Sequence, residues 1–464
     1  MSIIGTEVEH PQFGRGQVVA AYRNGADWLV RFESGLRFRR PRGEFVGHQD
    51  DPTTIALPSG PTKPPMRPEQ LDARQLLEAL RAGIAPAQHV RELTIGLAAE
   101  QADLHRALLR AHEEGGAARA VFGEYGFGKS HIVEWTSQTA LEQNFLVAAV
   151  SLDLYELPPH RAFAIYAALM RALRYPDSDE RGLEHLLEQA ASLPGLSDQL
   201  ARSTPVEVDP WAAGVTAWLD ASSSRRRKTW RQWLEGGRRQ NSMNRGWPSD
   251  VRFPTIYRVG QNARQIAYLL SGLSVLARLV GYSGLCVLVD EAESYSLLYP
   301  YQRPKAGQFF SAMIYTALRE QQQHIDPESF PQHRWRDYPL GYADRQSLFF
   351  LFTLTHSDRR MPVDEWLDDD QILWLDPHQT PQEIGQFLEK VLTYHAAAYG
   401  YAVDDRQRQV RRGAAERLAE GLRHGRLSMR GLVRLSVELY DLLYLYPDYD
   451  AALLLAELRD QLQP

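Results

Sequence analysis

Residues 123–130, GEYGFGKS, stand between an apolar stretch, ARAVF (118–122), and a run with helical character, SHIVEWTSQTALEQ (130–143). A short buried strand that opens through three glycines into a helix restricts the chain to a narrow set of α/β folds. Glycines let successive backbone N–H groups curl around an anion, and the N-terminus of the next helix adds the positive end of its dipole. The Lys-Ser pair supplies a cation and a hydroxyl. The pattern points to a cradle for nucleotide phosphates. In it Lys129 bridges the β- and γ-phosphates and Ser130 ligates magnesium, while Gly123, Gly126, Gly128 and His131 line the nucleotide.

Further apolar runs extend this reading. NFLVAAVSLD (144–153), LCVLVDEAE (285–293), SLFFLFTLTHSD (347–358) and QILWL (371–375) alternate with helical segments, as buried parallel strands do. The expected fold class is α/β, a P-loop parallel sheet. From Thr380 onward the pattern is helical throughout, and Thr-Pro-Gln-Glu at 380–383 forms a capping-box signature. A helical C-terminal lid, 377–464, is therefore expected after an ATPase domain over 71–376, which carries a helical insertion at about 180–250. The second apolar run ends in Asp290-Glu291, an arrangement in which the aspartate holds the magnesium shell and the glutamate polarises an attacking water. Thr355, at the polar end of the next strand, is placed to sense the γ-phosphate. It also reads as a solvated strand terminus, and Thr353 is the neighbouring alternative.

At 464 residues, with 44% hydrophobic and 24% charged residues, the chain has material for two or three globular domains. A net charge of −6 disfavours a wholly basic nucleic-acid binder but permits local basic patches. The one cysteine, Cys286, excludes an internal disulfide and a Cys-rich zinc module. No segment reads as a signal peptide or membrane span, so a cytoplasmic location without membrane partners is expected.

Near the N-terminus, short alternating strands at 17–22, 28–32 and 36–39 are punctuated by Asn24-Gly25 and Ser34-Gly35. They predict a small β-barrel over 1–46. The proline-rich stretch 47–70 reads as an extended linker. Farther on, SSSRRRKTWRQWLEGGRRQNSMNRGW places Arg225, Arg226, Arg227, Lys228, Arg231, Arg238, Arg239 and Arg245 against one acid, Glu235. Such a cluster neutralises phosphates of DNA or forms a solvated helix face, and Trp230 and Trp233 either stack on bases or pack inward.

The order GxxxxGKS, Asp-Glu, polar strand end and helical lid resembles the AAA+ superfamily, especially its initiator and helicase-loader branch. LEALRAGIAPAQHVRELTIGLAAEQADL leading into FGEYGFGKSHIV, then VSLDLYELPPHRAFAIYAALMRAL and VLVDEAES, resembles more narrowly the ATP-binding proteins of BREX-type phage-defence systems. The chain departs from them in reading TIGLAAE where relatives tend to carry an arginine after the glycine. The resemblance implies ATP and Mg2+ as ligands, with Lys129, Ser130, Asp290, Glu291 and Thr355 in the roles given above. It also implies Arg430 as sensor two on a lid helix. An arginine finger comes in such families from a neighbouring subunit, with Arg359, Arg360, Arg319 and Arg345 as candidates, and this implies a homo-oligomer. The N-terminal segment resembles Tudor or SH3-like modules that dock protein or nucleic acid. The function implied is a DNA-associated ATPase that loads or regulates a partner such as a helicase. The alternative is an ATP-dependent assembly switch with little or no hydrolysis.

Overall fold

The computed structural model describes residues 3–11, 14–22, 25–32, 37–45, 67–84, 87–206, 209–237, 263–321, 324–332, 338–344, 346–355, 360–376, 379–446 and 450–461. The chain forms two compact units, Met1–Met66 and Arg67–Pro464.

The first unit is an antiparallel meander of β1 (Glu7–His10), β2 (Gly14–Tyr22), β3 (Asp27–Phe32) and β4 (Arg37–Pro41). Its buried residues alternate along β3, where Trp28, Val30 and Phe32 point to one face, as a sheet with one wet side requires. The barrel expected here is not closed: a register shift at Val18/Ala20 curls the sheet, but β1 and β4 are its two edges. Four strands, two of them only four and five residues long, do not bring those edges together. Most of the expected linker lies outside the described residues.

The second unit is mixed α/β. It opens with α1 (Pro68–Ala82), α2 (Val90–Leu93) and α3 (Ala98–Glu113), followed by β5 (Gly116–Phe122), α4 (Lys129–Glu142) and β6 (Phe145–Ser151). Next come α5 (Ala162–Ala172), β7 (Leu173–Arg174) and four helices, α6 (Leu183–Ala190), α7 (Leu196–Ser203), α8 (Pro210–Leu219) and α9 (Ser224–Leu234). Then α10 (Ala263–Val280), β8 (Gly284–Asp290), α11 (Arg303–Leu318), β9 (Leu348–Leu354) and β10 (Ile372–Trp374) complete the sheet. The chain ends in α12 (Pro381–Tyr399), α13 (Asp405–Arg423), α14 (Met429–Leu445) and α15 (Ala451–Gln461). None of the described helices is long and apolar enough to cross a membrane.

The sheet order is β10-β5-β9-β8-β6-β7, parallel except for β7 against β6. Its strands are apolar on both faces because helices cover both. In β8, Leu285, Val287 and Val289 enter the core under α5 to α11, and Cys286 and Leu288 enter the core under α3 and α4. The parallel strands of this apolar sheet all end on the same edge, where the polar residues of the loops collect. Since β5, β9 and β8 are consecutive neighbours, the glycine loop, the end of β9 and the Asp-Glu pair are brought side by side.

A third core joins α12 to α15 with α1. Leu76 and Leu77, and Leu80 one turn later on α1, face this cluster, and Arg81 holds Asp441 of α14 with Nη2–Oδ1 at 2.6 Å and Nε–Oδ2 at 2.9 Å. Helix α12 begins with the expected capping box: Glu383 N donates to Thr380 Oγ1, and Thr380 N donates to Glu383 Oε2 at 2.8 Å.

Candidate active site

The glycine loop has the backbone its sequence requires. Gly126 and Gly128 take φ of +82° and +95°, in the left-handed region that costs a residue with a Cβ about 1–2 kcal/mol. Gly128 is the cap of α4 and has no side chain, so it offers the first-turn N–H groups of this 14-residue helix no acceptor. Lys129 is buried. Its Nζ donates to the carbonyl of Gly123 at 2.9 Å, lies 3.4 Å from Thr355 Oγ1 and 3.7 Å from Glu293 Oε1. Ser130 follows it on the cavity wall.

Strand β8 stops at Asp290. The Asp290 Oδ1 accepts from Thr353 Oγ1 at 2.5 Å and from the backbone N–H of Glu291 at 3.0 Å. Glu291 takes φ +58° and ψ +36°, a left-handed conformation rare for a residue with a side chain. That kink turns the chain out of the sheet and leaves the Glu291 side chain exposed. Partial burial, and then the neighbouring Asp290 carboxylate, push its carboxyl above the ordinary 4.5, against an opposing hydrogen bond from Ser151.

Both threonines of β9 and its end serve the site, with different tasks. Thr353 is fully buried and fixes Asp290; Thr355 donates to Glu293 Oε1 at 2.9 Å while standing beside Lys129. Replacing Thr353 by valine keeps the shape but leaves a buried carboxylate oxygen with one donor fewer. The expected loss is about 1–3 kcal/mol of stability, read as a lower urea midpoint with an unchanged slope. An unchanged midpoint would mean that Asp290 does not rely on this hydroxyl. Glu293, within the quoted run but not singled out in the sequence, is the acid that faces Lys129 and Thr355.

These groups open on a cavity of about 1100 Å³ including its mouth. Its far wall is apolar, formed by Leu80, Ile84, Ile95, Phe387 and Val433, and thus by the segments that lead from α1 to α3 and by the C-terminal helices. The Gln379 Oε1, also on this wall, is buried without a partner among the described residues. His131 reaches the wall too. Its Nε2 lies 2.6 Å from Thr94 Oγ1, whose hydrogen goes to the Val90 carbonyl at 2.5 Å, so the ring donates from Nε2. Burial lowers its pKa to about 4 and keeps it neutral. His131 therefore ties α4 to the 90–97 segment.

Arg430 lies in the first turn of α14, which Ser428 caps. Its backbone N–H donates to the Gly126 carbonyl at 3.2 Å, and its guanidinium bonds Tyr125 Oη and lies 5.2 Å from the Tyr125 ring centroid. The C-terminal helices thus touch the glycine loop directly through this residue. Of the other arginines, Arg319 donates to the carbonyls of Ala343 and Asp344 at 2.5 and 2.6 Å, and Arg360 to that of Ser296 at 2.8 Å. Arg345 and Arg359 lie outside the described residues. Among the described residues that line the cavity, Arg430 is the one arginine.

The basic cluster is only partly brought together. Arg225, Arg226, Arg227 and Lys228 are exposed on the N-terminal part of α9, at the positive end of its dipole, where cations are unfavourable. Arg231 is half-buried and bonded to Glu184 and, at 3.5 Å, to Glu235. Trp230 and Trp233 are buried and meet edge to face at 6.1 Å; their i, i+3 spacing puts them on the inner face of α9, so they pack and do not present rings to bases. Arg238, Arg239 and Arg245 lie outside the described residues.

No curated protein matches the chain. Residues 69–198 match the family model of the BREX system ATP-binding protein BrxC/D. That span holds β5, the glycine loop and α4, and with them Lys129, Ser130 and His131. It ends before Asp290, Glu291, Thr355 and Arg430. Over these 130 residues the chain is similar to the BREX ATP-binding proteins.

Proposed function

We propose that the chain is a DNA-associated AAA+ ATPase of a BREX-type phage-defence system, which uses ATP hydrolysis to load or regulate a partner such as a helicase. The observation that carries this reading is the gathering of Lys129, Asp290, Glu291 and Thr355 around one glycine loop, on the carboxyl ends of three adjacent parallel strands. The family match over 69–198 supports the ATP and the defence setting.

The residues fit ATP with magnesium. Two glycines with positive φ and the uncapped start of α4 suit the triphosphate, Lys129 provides the cation, and Ser130 and Asp290 offer the hard oxygen ligands that magnesium prefers. The apolar wall and the Gln379 oxygen suit a purine base. Magnesium when bound neutralises phosphate charge. Asp290 is held in one orientation by Thr353, so it meets that charge without reorganising. Glu291, turned out of the sheet, takes the proton of the attacking water, and its raised pKa improves it as a base near neutrality. Thr355 and Lys129, in contact with each other, report on the γ-phosphate. Arg430 links that event to the C-terminal helices through Tyr125 and Gly126. A neighbouring copy supplies the arginine finger.

The four exposed cations at 225–228 are assigned to the DNA backbone, since their position at a helix N-terminus works against helix stability. Steady-state ATP hydrolysis with single- and double-stranded DNA tests the reading. Turnover rises with DNA, falls back as salt increases, and responds less to DNA when residues 225–228 are changed to serine. ATP-driven assembly without any response to DNA would instead favour a switch or scaffold.

A further inference from the structure

We propose that a second cavity, which shares no lining residue with the first, binds phosphate groups of a small molecule. It lies between the end of α7, the start of α10, the end of α11 and the segments 327–328 and 339–344. Its volume is about 1460 Å³ including its open mouth.

Arg264, in the first turn of α10, carries the argument. It is 7% exposed and lines the cavity. Its Nη1 donates to the Tyr338 carbonyl at 3.1 Å and its Nη2 to the Pro327 carbonyl at 2.5 Å, while Nε has no partner among the described residues. Among the described residues no carboxylate lies within ion-pair distance of this guanidinium. Carbonyls satisfy two of its hydrogens but leave the charge uncompensated, and an uncompensated buried cation is costly. The start of an 18-residue helix adds positive potential on the same side.

Two further arginines share the cavity. Arg202 is exposed at the last turn of α7, where its Nε donates to the Asp198 carbonyl. Arg319 leaves α11 at φ +51°, a strained conformation for a side-chain residue, and its carbonyl bonds hold it at the wall. Among the described residues the acids on the wall are Glu328 and Asp344, both exposed; Asp344 stands 3.6 Å from Arg319. Among the described residues three cations, one of them buried, thus face two solvated carboxylates. Guanidinium forks suit the oxygens of a phosphate, and Tyr315 and Leu340 offer apolar surface for an attached organic group.

The test uses the full chain with Lys129→Ala, so that the glycine loop contributes little, and titrates pyrophosphate or AMP by calorimetry and thermal melting. Either ligand is expected to bind and to raise Tm. Arg202→Ala, a surface change that leaves the fold intact, should weaken binding about tenfold, and Arg264→Gln should abolish it. Tighter AMP assigns the site to an organic phosphate, and tighter pyrophosphate to an inorganic one. Absence of binding, or binding indifferent to both arginine changes, overturns the proposal. If Arg264→Gln does not fold, Arg202→Ala and the shift in Tm decide. The outcome does not depend on hydrolysis at the first cavity, because the arginine variants report on the second alone.

Discussion

Lys129→Ala is expected to lose tight ATP binding while melting as a folded protein. Lys129 is the buried cation of the first cavity, and its Nζ is held by the Gly123 carbonyl at the mouth of the loop. Removing one partner of a buried, charge-assisted contact costs about 2–4 kcal/mol, roughly 30- to 1000-fold in affinity. Calorimetric titration of ATP with the variant checks this directly. Wild-type affinity would show that the triphosphate does not sit against this loop. Lys129 also closes the loop on itself, so a thermal melt must accompany the titration to separate lost binding from lost structure.

Glu291→Gln is expected to bind ATP as wild type does and to turn it over at least about 100-fold more slowly, the range for loss of a general base. Glutamine keeps the length of the side chain and the same left-handed backbone, so the kink after Asp290 should survive. The pH dependence gives a second reading. Burial and Asp290 raise the Glu291 carboxyl above the ordinary 4.5, and a base acts only when deprotonated. Turnover should therefore fall as pH drops through that raised value, with its acid limb above 4.5, and the limb should vanish in the glutamine variant. Wild-type turnover in the variant would place the water on another residue.

The site was legible where its parts are consecutive. GEYGFGKS carries its own geometry, since each glycine and the lysine act through neighbouring backbone. Asp290-Glu291 was legible because a strand buried on both faces has no reason to end in two acids. The choice between Thr353 and Thr355 was not, because residues two apart share one face of a strand. Only the neighbouring strand shows that Thr353 meets Asp290 and Thr355 meets Lys129. Glu293 was hidden for a related reason: it follows the turn at Glu291, where strand periodicity no longer predicts direction. At the N-terminus the turn residues marked the strands, but closure of a sheet depends on strand number and length, which turns do not set. The leucines of α1 likewise do not in themselves name their partner.

That partner has a consequence for how the protein is made. The apolar face of α1 is completed by α12 and α14, and about 300 residues separate the end of α1 from the start of α12. A ribosome adding about 5–20 residues per second needs roughly 15–60 s to cover that distance. During this interval Leu76, Leu77 and Leu80 have left the exit tunnel and their covering helices do not yet exist. The sheet is synthesised as one long excursion from a domain whose first helix waits for its last ones. Nascent chains should therefore be recognised by chaperones at α1, and a nonsense mutation between the end of α1 and residue 381 leaves that face permanently uncovered.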